Sequence, residues 1–117
     1  MVAALTPSLS PAFPLVWTSE QTGTRTVVVT VAGELDRHTS PALRDHLDWW
    51  LGCGCERLIV DTADVTFADV GAHDALRAIG ERAAALRCRV VLTPTGQALV
   101  RLTELMGCPR GVHIEAW

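Results

Sequence analysis

Three times in this chain a short run of β-branched or aliphatic residues gives way to a stretch whose apolar residues recur at helical spacing. That alternation narrows the fold more than any composition value does. Thr26 to Ala32 is the strongest strand signal, a run of Val and Thr, because branching at Cβ suits the pleated backbone. Leu15 to Ser19 reads as a weaker strand before it, joined through a turn at Gln21-Thr22-Gly23-Thr24. Ser40-Pro41 opens a helix, with Ser40 as N-cap and Pro41 at the first helical position. Leu43, Leu47, Trp50 and Leu51 then share one face. Arg57 to Asp61 is a short buried strand, followed by a helix with Ala72, Ala75, Leu76, Ile79, Ala83 and Leu86 on one stripe. Arg89 to Thr93 is the next strand. Gln97 to Met106 is a helix with Leu99, Leu102 and Leu105 or Met106 inward and Gly107 as its C-cap. Val112 to Ile114 closes the sheet. The order β-β-α-β-α-β-α-β predicts an α/β domain: a mostly parallel central sheet, right-handed crossovers, and helices packed on it.

Length and composition fit one such domain. The chain has 117 residues, 49% hydrophobic and 20% charged, which predicts a soluble globular protein with a single core. Residues 1–12, with Pro7 and Pro11 among small residues, read as a flexible tail, and residues 13–117 as the domain. The net charge is −3 and no basic cluster occurs, so nucleic-acid binding has no electrostatic footprint. Apolar runs such as Val27-Val28-Val29 are too short for membrane insertion. The first residues lack the basic start and apolar stretch of a secretory signal, so a cytoplasmic location is expected.

Function is best sought at Thr66-Phe67-Ala68-Asp69-Val70-Gly71-Ala72-His73, where a strand hands over to a helix. This is the carboxyl edge of the sheet, where α/β folds keep working residues. Gly33-Glu34-Leu35-Asp36 with Thr39 ends the preceding strand at the same edge. Together with the strand ending in Asp61 and the Val65-x-Phe67-x-Asp69 turn, these residues resemble the STAS family over Leu15 to Ile114. That family comprises the anti-sigma-factor antagonists and related domains of stressosomes, anion transporters and bacterial lipid-transport complexes.

The resemblance implies a protein-binding module, not an enzyme. Its partner would be an anti-sigma factor with a histidine-kinase-like ATPase fold, held through Asp36, His38, Thr39, Asp69, Val70, Gly71, His73 and Asp74. In antagonists this turn carries a serine that the partner phosphorylates, which adds about −1.5 to −2 charges to the binding face and releases the complex. Here Asp69 matches the family's Asp, but Val70 occupies the position of the phosphorylated serine, Gly71 that of a second serine, and Ala72 that of the family's glycine. Valine has no nucleophilic oxygen, so this position cannot take a phosphoryl group. The resemblance also admits an accessory subunit of an ABC-type lipid-transport or stressosome-like assembly, and it leaves homodimerisation and a small ligand open. The plain alternative for Asp69 and Asp36 is capping.

Other chemistry is weaker. Asp36, His38, Asp69, His73 and Asp74 match no metal motif. No catalytic triad, glycine-rich phosphate loop or cofactor fingerprint occurs, so neither cofactor nor metal is expected. Cys53, Cys55, Cys88 and Cys108 all precede strands and would gather at the amino edge of a parallel sheet. They are candidates for a redox-controlled disulfide, set against the ordinary reading of buried free thiols. Trp49 lies one step off the first helix's apolar face, near His46. Half-burial at the core edge is the favoured reading there, an exposed anchor for a partner the other.

Overall fold

The computed structural model describes residues 14–115; the expected tail at residues 1–12 lies outside them. The elements are β1 (Leu15–Thr22), β2 (Thr26–Leu35), α1 (Ser40–Gly52), β3 (Arg57–Ala68), α2 (Val70–Leu86), β4 (Arg89–Leu92), α3 (Gln97–Met106) and β5 (Val112–Ile114). They form one sheet in the order β1-β2-β3-β4-β5. β1 runs antiparallel to β2, and the other neighbours are parallel. The α/β expectation holds in element order and in the mostly parallel pairing.

Burial follows from this topology. In β2, Val27, Val29 and Val31 are buried and alternate with half-buried residues. These valines form one core with Leu43, Leu47 and Leu51 of α1, Leu76 and Ile79 of α2, and Leu99 and Leu102 of α3. Removing each such side chain from water contributes about 1.5–3 kcal/mol.

Several local expectations change. β1 continues to Thr22 and β2 to Leu35, past their expected ends at Ser19 and Ala32. β2 can continue because Gly33 adopts φ +113, where a Cβ would stand 2.0 Å from the Pro14 carbonyl oxygen. β3 runs to Ala68 rather than Asp61, and its register with β2 shifts twice. Thr30 pairs with Asp61 and Ala32 with Asp64; Gly33 pairs with Val65 and Glu34 with Phe67. At each shift β3 holds one residue more than β2, the signature of a β-bulge.

Ser40 is not an N-cap. Thr39 occupies that position without a side-chain cap, and Ser40 is a buried helical residue whose hydroxyl has no protein partner. Thr39 does not cap because its hydroxyl is turned back toward the end of β2, accepting the Asp36 N–H at 2.9 Å and donating to the Glu34 carbonyl at 2.8 Å. Leu86, Leu105 and Met106 are exposed rather than inward. Leu86 is the last helical residue before Arg87 turns left-handed at φ 59, and the buried face of α3 ends at Leu102. Gly107 does cap α3, at φ 83.

Candidate functional site

Two turns meet at the carboxyl edge of the parallel strands. In the β2–α1 turn, Asp36 Oδ1 accepts the N–H groups of His38 at 2.7 Å and Thr39 at 2.9 Å. Thr39 Oγ1 in return accepts the N–H of Asp36 at 2.9 Å. These bonds favour the ionised carboxyl, so the N–H of Thr39 first, and then that of His38, hold Asp36 below its ordinary value. Asp36 is thereby a local organiser whose loop presents the exposed His38.

The second turn starts α2. Asp69 is its N-cap, with Oδ1 accepting the Gly71 N–H at 2.8 Å. The capping alternative therefore describes part of what both aspartates do. The turns are joined directly: the Asp69 N–H donates to the Leu35 carbonyl at 3.2 Å. Gly71 packs so closely that a Cβ there would lie 2.5 Å from Arg37 Cα and 2.6 Å from Arg37 N. No side chain, serine included, fits at position 71 without moving this contact.

Val70 stands 52% exposed at the first position of α2, offering a methyl-bearing surface where a hydroxyl would be accessible. Phe67, which the sequence did not single out as a surface residue, is 49% exposed beside it in the chain. The second bulge explains this. Val65 is buried, and the extra residue at Thr66 breaks the strict alternation by which Phe67 would follow Val65 into the core.

The structure thus brings Asp36, His38 and Thr39 together with Asp69, Val70 and Gly71. His73 and Asp74 lie one turn further along α2. His73 directs Nε2 to the Gly107 carbonyl at 3.1 Å, toward the end of α3. Asp74 contacts Arg77 at 3.7 Å. Asp74 also borders a hollow of about 200 Å³ between the starts of α1 and α2, with Arg37, Arg44 and Gly71. Among the described residues, no group of three or more His, Cys, Asp or Glu side chains could hold a metal ion.

At the opposite edge only two of the cysteines are brought together. Cys55 and Cys88 are buried free thiols with sulfurs 3.6 Å apart. Cys53 and Cys108 are exposed, and Cys108 donates its thiol to the Val112 carbonyl at 3.0 Å. Burial pushes the Cys55 thiol up, and burial followed by the neighbouring Cys55 pushes Cys88 up to about 12. The four-cysteine grouping therefore reduces to one pair.

Trp49 is exposed rather than half-buried, at 59%, with its ring edge-on to Trp50 at 4.8 Å. Trp50 and Trp17 instead enclose His46. His46 Nε2 accepts the Trp50 indole N–H at 3.2 Å and also meets the Ser19 hydroxyl. Burial holds the imidazole below its ordinary value. Spacing on α1 could have paired His46 with Trp50, at i and i+4; its contact with β1 needed the tertiary structure.

Comparison with known proteins agrees with this fold. No curated protein matches the sequence. An anti-sigma-factor antagonist from Mycobacterium paratuberculosis superposes with a TM-score of 0.69 at 25% identity, over 85% of each chain. The anti-sigma-factor antagonist SpoIIAA in its unphosphorylated form superposes with a TM-score of 0.65 at 19% identity, over 86% of this chain and 87% of that one. The phosphorylated form of the Bacillus cell-fate determinant SpoIIAA gives 0.65 and 19%, over 86% and 91%. No helix among the described residues is long and apolar enough to cross a membrane. A family model described as "Mlab, STAS domain" matches residues 18–112, and with that match over most of its length the chain belongs to the STAS family.

Proposed function

We propose that this chain is an anti-sigma-factor antagonist that acts in the cytoplasm, binding a kinase-type anti-sigma factor and thereby releasing a sigma factor. It is a binding module rather than an enzyme, and phosphorylation at the usual site does not switch it. The observation that carries this reading is the joined pair of turns, with Val70 exposed at the helix start. Asp36, His38, Thr39, Asp69, Val70 and Gly71 supply the contact, and His73 and Asp74 extend it along α2. A phosphoryl group would add charge to this face and weaken the contact. Val70 keeps the chain in its binding-competent form.

The test is binding to the histidine-kinase-like anti-sigma ATPases of the same cell with ATP present, followed by intact mass. Tight binding without a mass increase is expected. Failure to bind any of them removes this reading. A mass increase on the unaltered chain would mean that a hydroxyl other than the missing one is used.

A second reading rests on the family match itself, whose description names Mlab. In it the same edge docks an ATPase subunit of a lipid-transport complex, where no phosphorylation is needed. Co-purification with a transporter ATPase and permease, and not with an anti-sigma factor, would select it. We propose that redox control belongs to Cys55 and Cys88, the thiols whose sulfurs lie 3.6 Å apart.

A further inference from the structure

β3 is longer than the strand beside it, and that mismatch leaves half of one edge open. β4 pairs with β3 only over Arg57–Val60, whereas the ladder to β2 continues to Ala68. Just past the paired stretch, the Thr62 N–H is taken by the Pro94 carbonyl at 3.0 Å. The Ala63 N–H goes to Asp61 Oδ1 at 3.0 Å, and Gly96 packs so closely that a Cβ there would lie 2.4 Å from the Thr62 carbonyl oxygen and 3.0 Å from that of Ala63. From Asp64 to Ala68 the side of β3 facing away from β2 has no strand partner among the described residues. In a parallel pair, alternate residues direct their N–H and C=O groups to that free side. Asp64, Thr66 and Phe67 are all exposed along it.

What borders this edge is a groove of about 510 Å³ between β3 and α3. Val65 and Phe67 line one wall, and Ala98, Arg101, Leu102 and Leu105 the other. Leu105 is 85% exposed, an apolar side chain with no burial of its own to explain it. Arg101, on the groove wall, is exposed and makes no ion pair among the described residues, as is true of Arg37, Arg57, Arg87, Arg89 and Arg110; of these six only Arg101 lines the groove.

We propose that this groove binds an extended segment of a partner protein, which adds a strand to the open edge of β3 and places a carboxylate against Arg101. A helix could fill the apolar wall but would leave the strand's peptide groups unanswered, since its own are bonded internally. An extended segment answers them and sets alternate side chains against Phe67 and Leu105. The unpaired guanidinium selects an acidic residue among those side chains. This inference does not rest on the antagonist reading: it concerns the β3–α3 side of the sheet, and none of the residues lining the groove is among those assigned to the anti-sigma contact.

The test uses the full chain labelled with ¹⁵N and titrated with the capped peptide Thr-Val-Thr-Glu-Thr-Val, in which Glu shares a face with both valines. Its Lys-for-Glu version and a version with prolines at the valines serve as controls. Amide shifts confined to Asp64–Ala68 and to α3 are expected for the Glu peptide, with no response to the proline version. Arg101→Glu, an exposed substitution that leaves the core intact, is expected to weaken the Glu peptide about fivefold and to reverse the preference toward Lys. No shifts at millimolar peptide, or shifts elsewhere, would overturn the proposal. So would groove shifts that depend on protein concentration without peptide, which would make the occupant a second copy. Groove shifts on deleting residues 1–13 without peptide would likewise make it the chain's own start. No anti-sigma factor is present in this experiment, so its failure leaves the reading of the Asp36 edge untouched.

Discussion

Replacing Gly71 with alanine tests whether the two turns are built as one piece. A methyl group at that position would sit 2.5 Å from Arg37 Cα, 2.6 Å from Arg37 N and 2.9 Å from Arg37 Cβ. Two of those atoms are backbone, so no rotamer change relieves the overlap and the β2–α1 turn must move. Overpacking of this kind costs about 1–3 kcal/mol. Alanine returns at most about 1 kcal/mol through helix propensity, and less in a first turn. The net expectation is a loss of about 1–2 kcal/mol, which for a domain of this size lowers the melting temperature by about 4–8 °C per kcal/mol.

Gly52→Ala is the matched control. Gly52 is also helical, at the end of α1, and nothing lies within 4 Å of a Cβ added there. That variant is expected to be neutral or more stable by up to about 1 kcal/mol. Urea unfolding read by far-ultraviolet circular dichroism gives both midpoints, with unchanged m-values showing that stability alone has moved. Equal midpoints for the two variants would refute the close contact. So would rescue of Gly71→Ala by Arg37→Ala, because the closest atoms are those that every residue at position 37 carries.

Asp69→Ala removes the bond to the Gly71 N–H and is expected to cost about 1 kcal/mol in a thermal melt, with Asp69→Asn nearly neutral. His46 is held below its ordinary value of 6.5 by burial, so the unfolded chain binds a proton before the folded one does. Its contribution is complete above pH 6.5 and is lost as the pH falls below that value. His46→Gln should flatten the stability profile there, and parallel profiles for the two chains would exclude the effect. Asp36, also held low, acts only near and below its ordinary 3.8, so the two windows are separable. Val70→Ser restores the hydroxyl that the antagonist reading lacks. With the cognate kinase-type partner and ATP, that variant and not the unaltered chain should gain the mass of one phosphoryl group. Cys55 and Cys88 should form a disulfide only slowly under a mild disulfide oxidant at neutral pH, because a Cys88 thiol pushed up to about 12 offers little thiolate. Peptide mapping of the oxidised chain checks the pairing, and a Cys53 bridge between two chains formed first would show that the exposed thiol dominates.

What could be read from the letters was what period and local chemistry carry. The strands Val112–Ile114 and Arg89–Leu92 and the helix Gln97–Met106 emerge within a residue of their places, since each is bounded by glycine, proline or a charge. The partnership of Asp36 with Thr39 and of Asp69 with α2 was visible as capping chemistry, because those bonds span no more than three residues. Phe67 was missed as a surface residue because a bulge is a relation between two strands, and Thr66 looks ordinary in one of them. Ser40 misled because it has the composition of a cap while Thr39, one residue earlier, occupies the place. The packing of Gly71 on Arg37 lay beyond reach for the same reason: the contact joins residues from different elements.

The two extra residues in β3 also decide which kinds of change this segment can absorb. Side chains alternate faces along a strand, so the position of Phe67 and the angle at which Asp69 enters α2 depend on a count as much as on identities. Substituting Ala63, Asp64 or Thr66, all exposed, leaves that count alone. Deleting any one of them would turn everything from Phe67 onward by half a strand period and carry the Asp69 turn away from Leu35. In a lineage of such chains this stretch is therefore free to vary in letter and held to its length, and gaps in it would mark the members that have lost the paired turns.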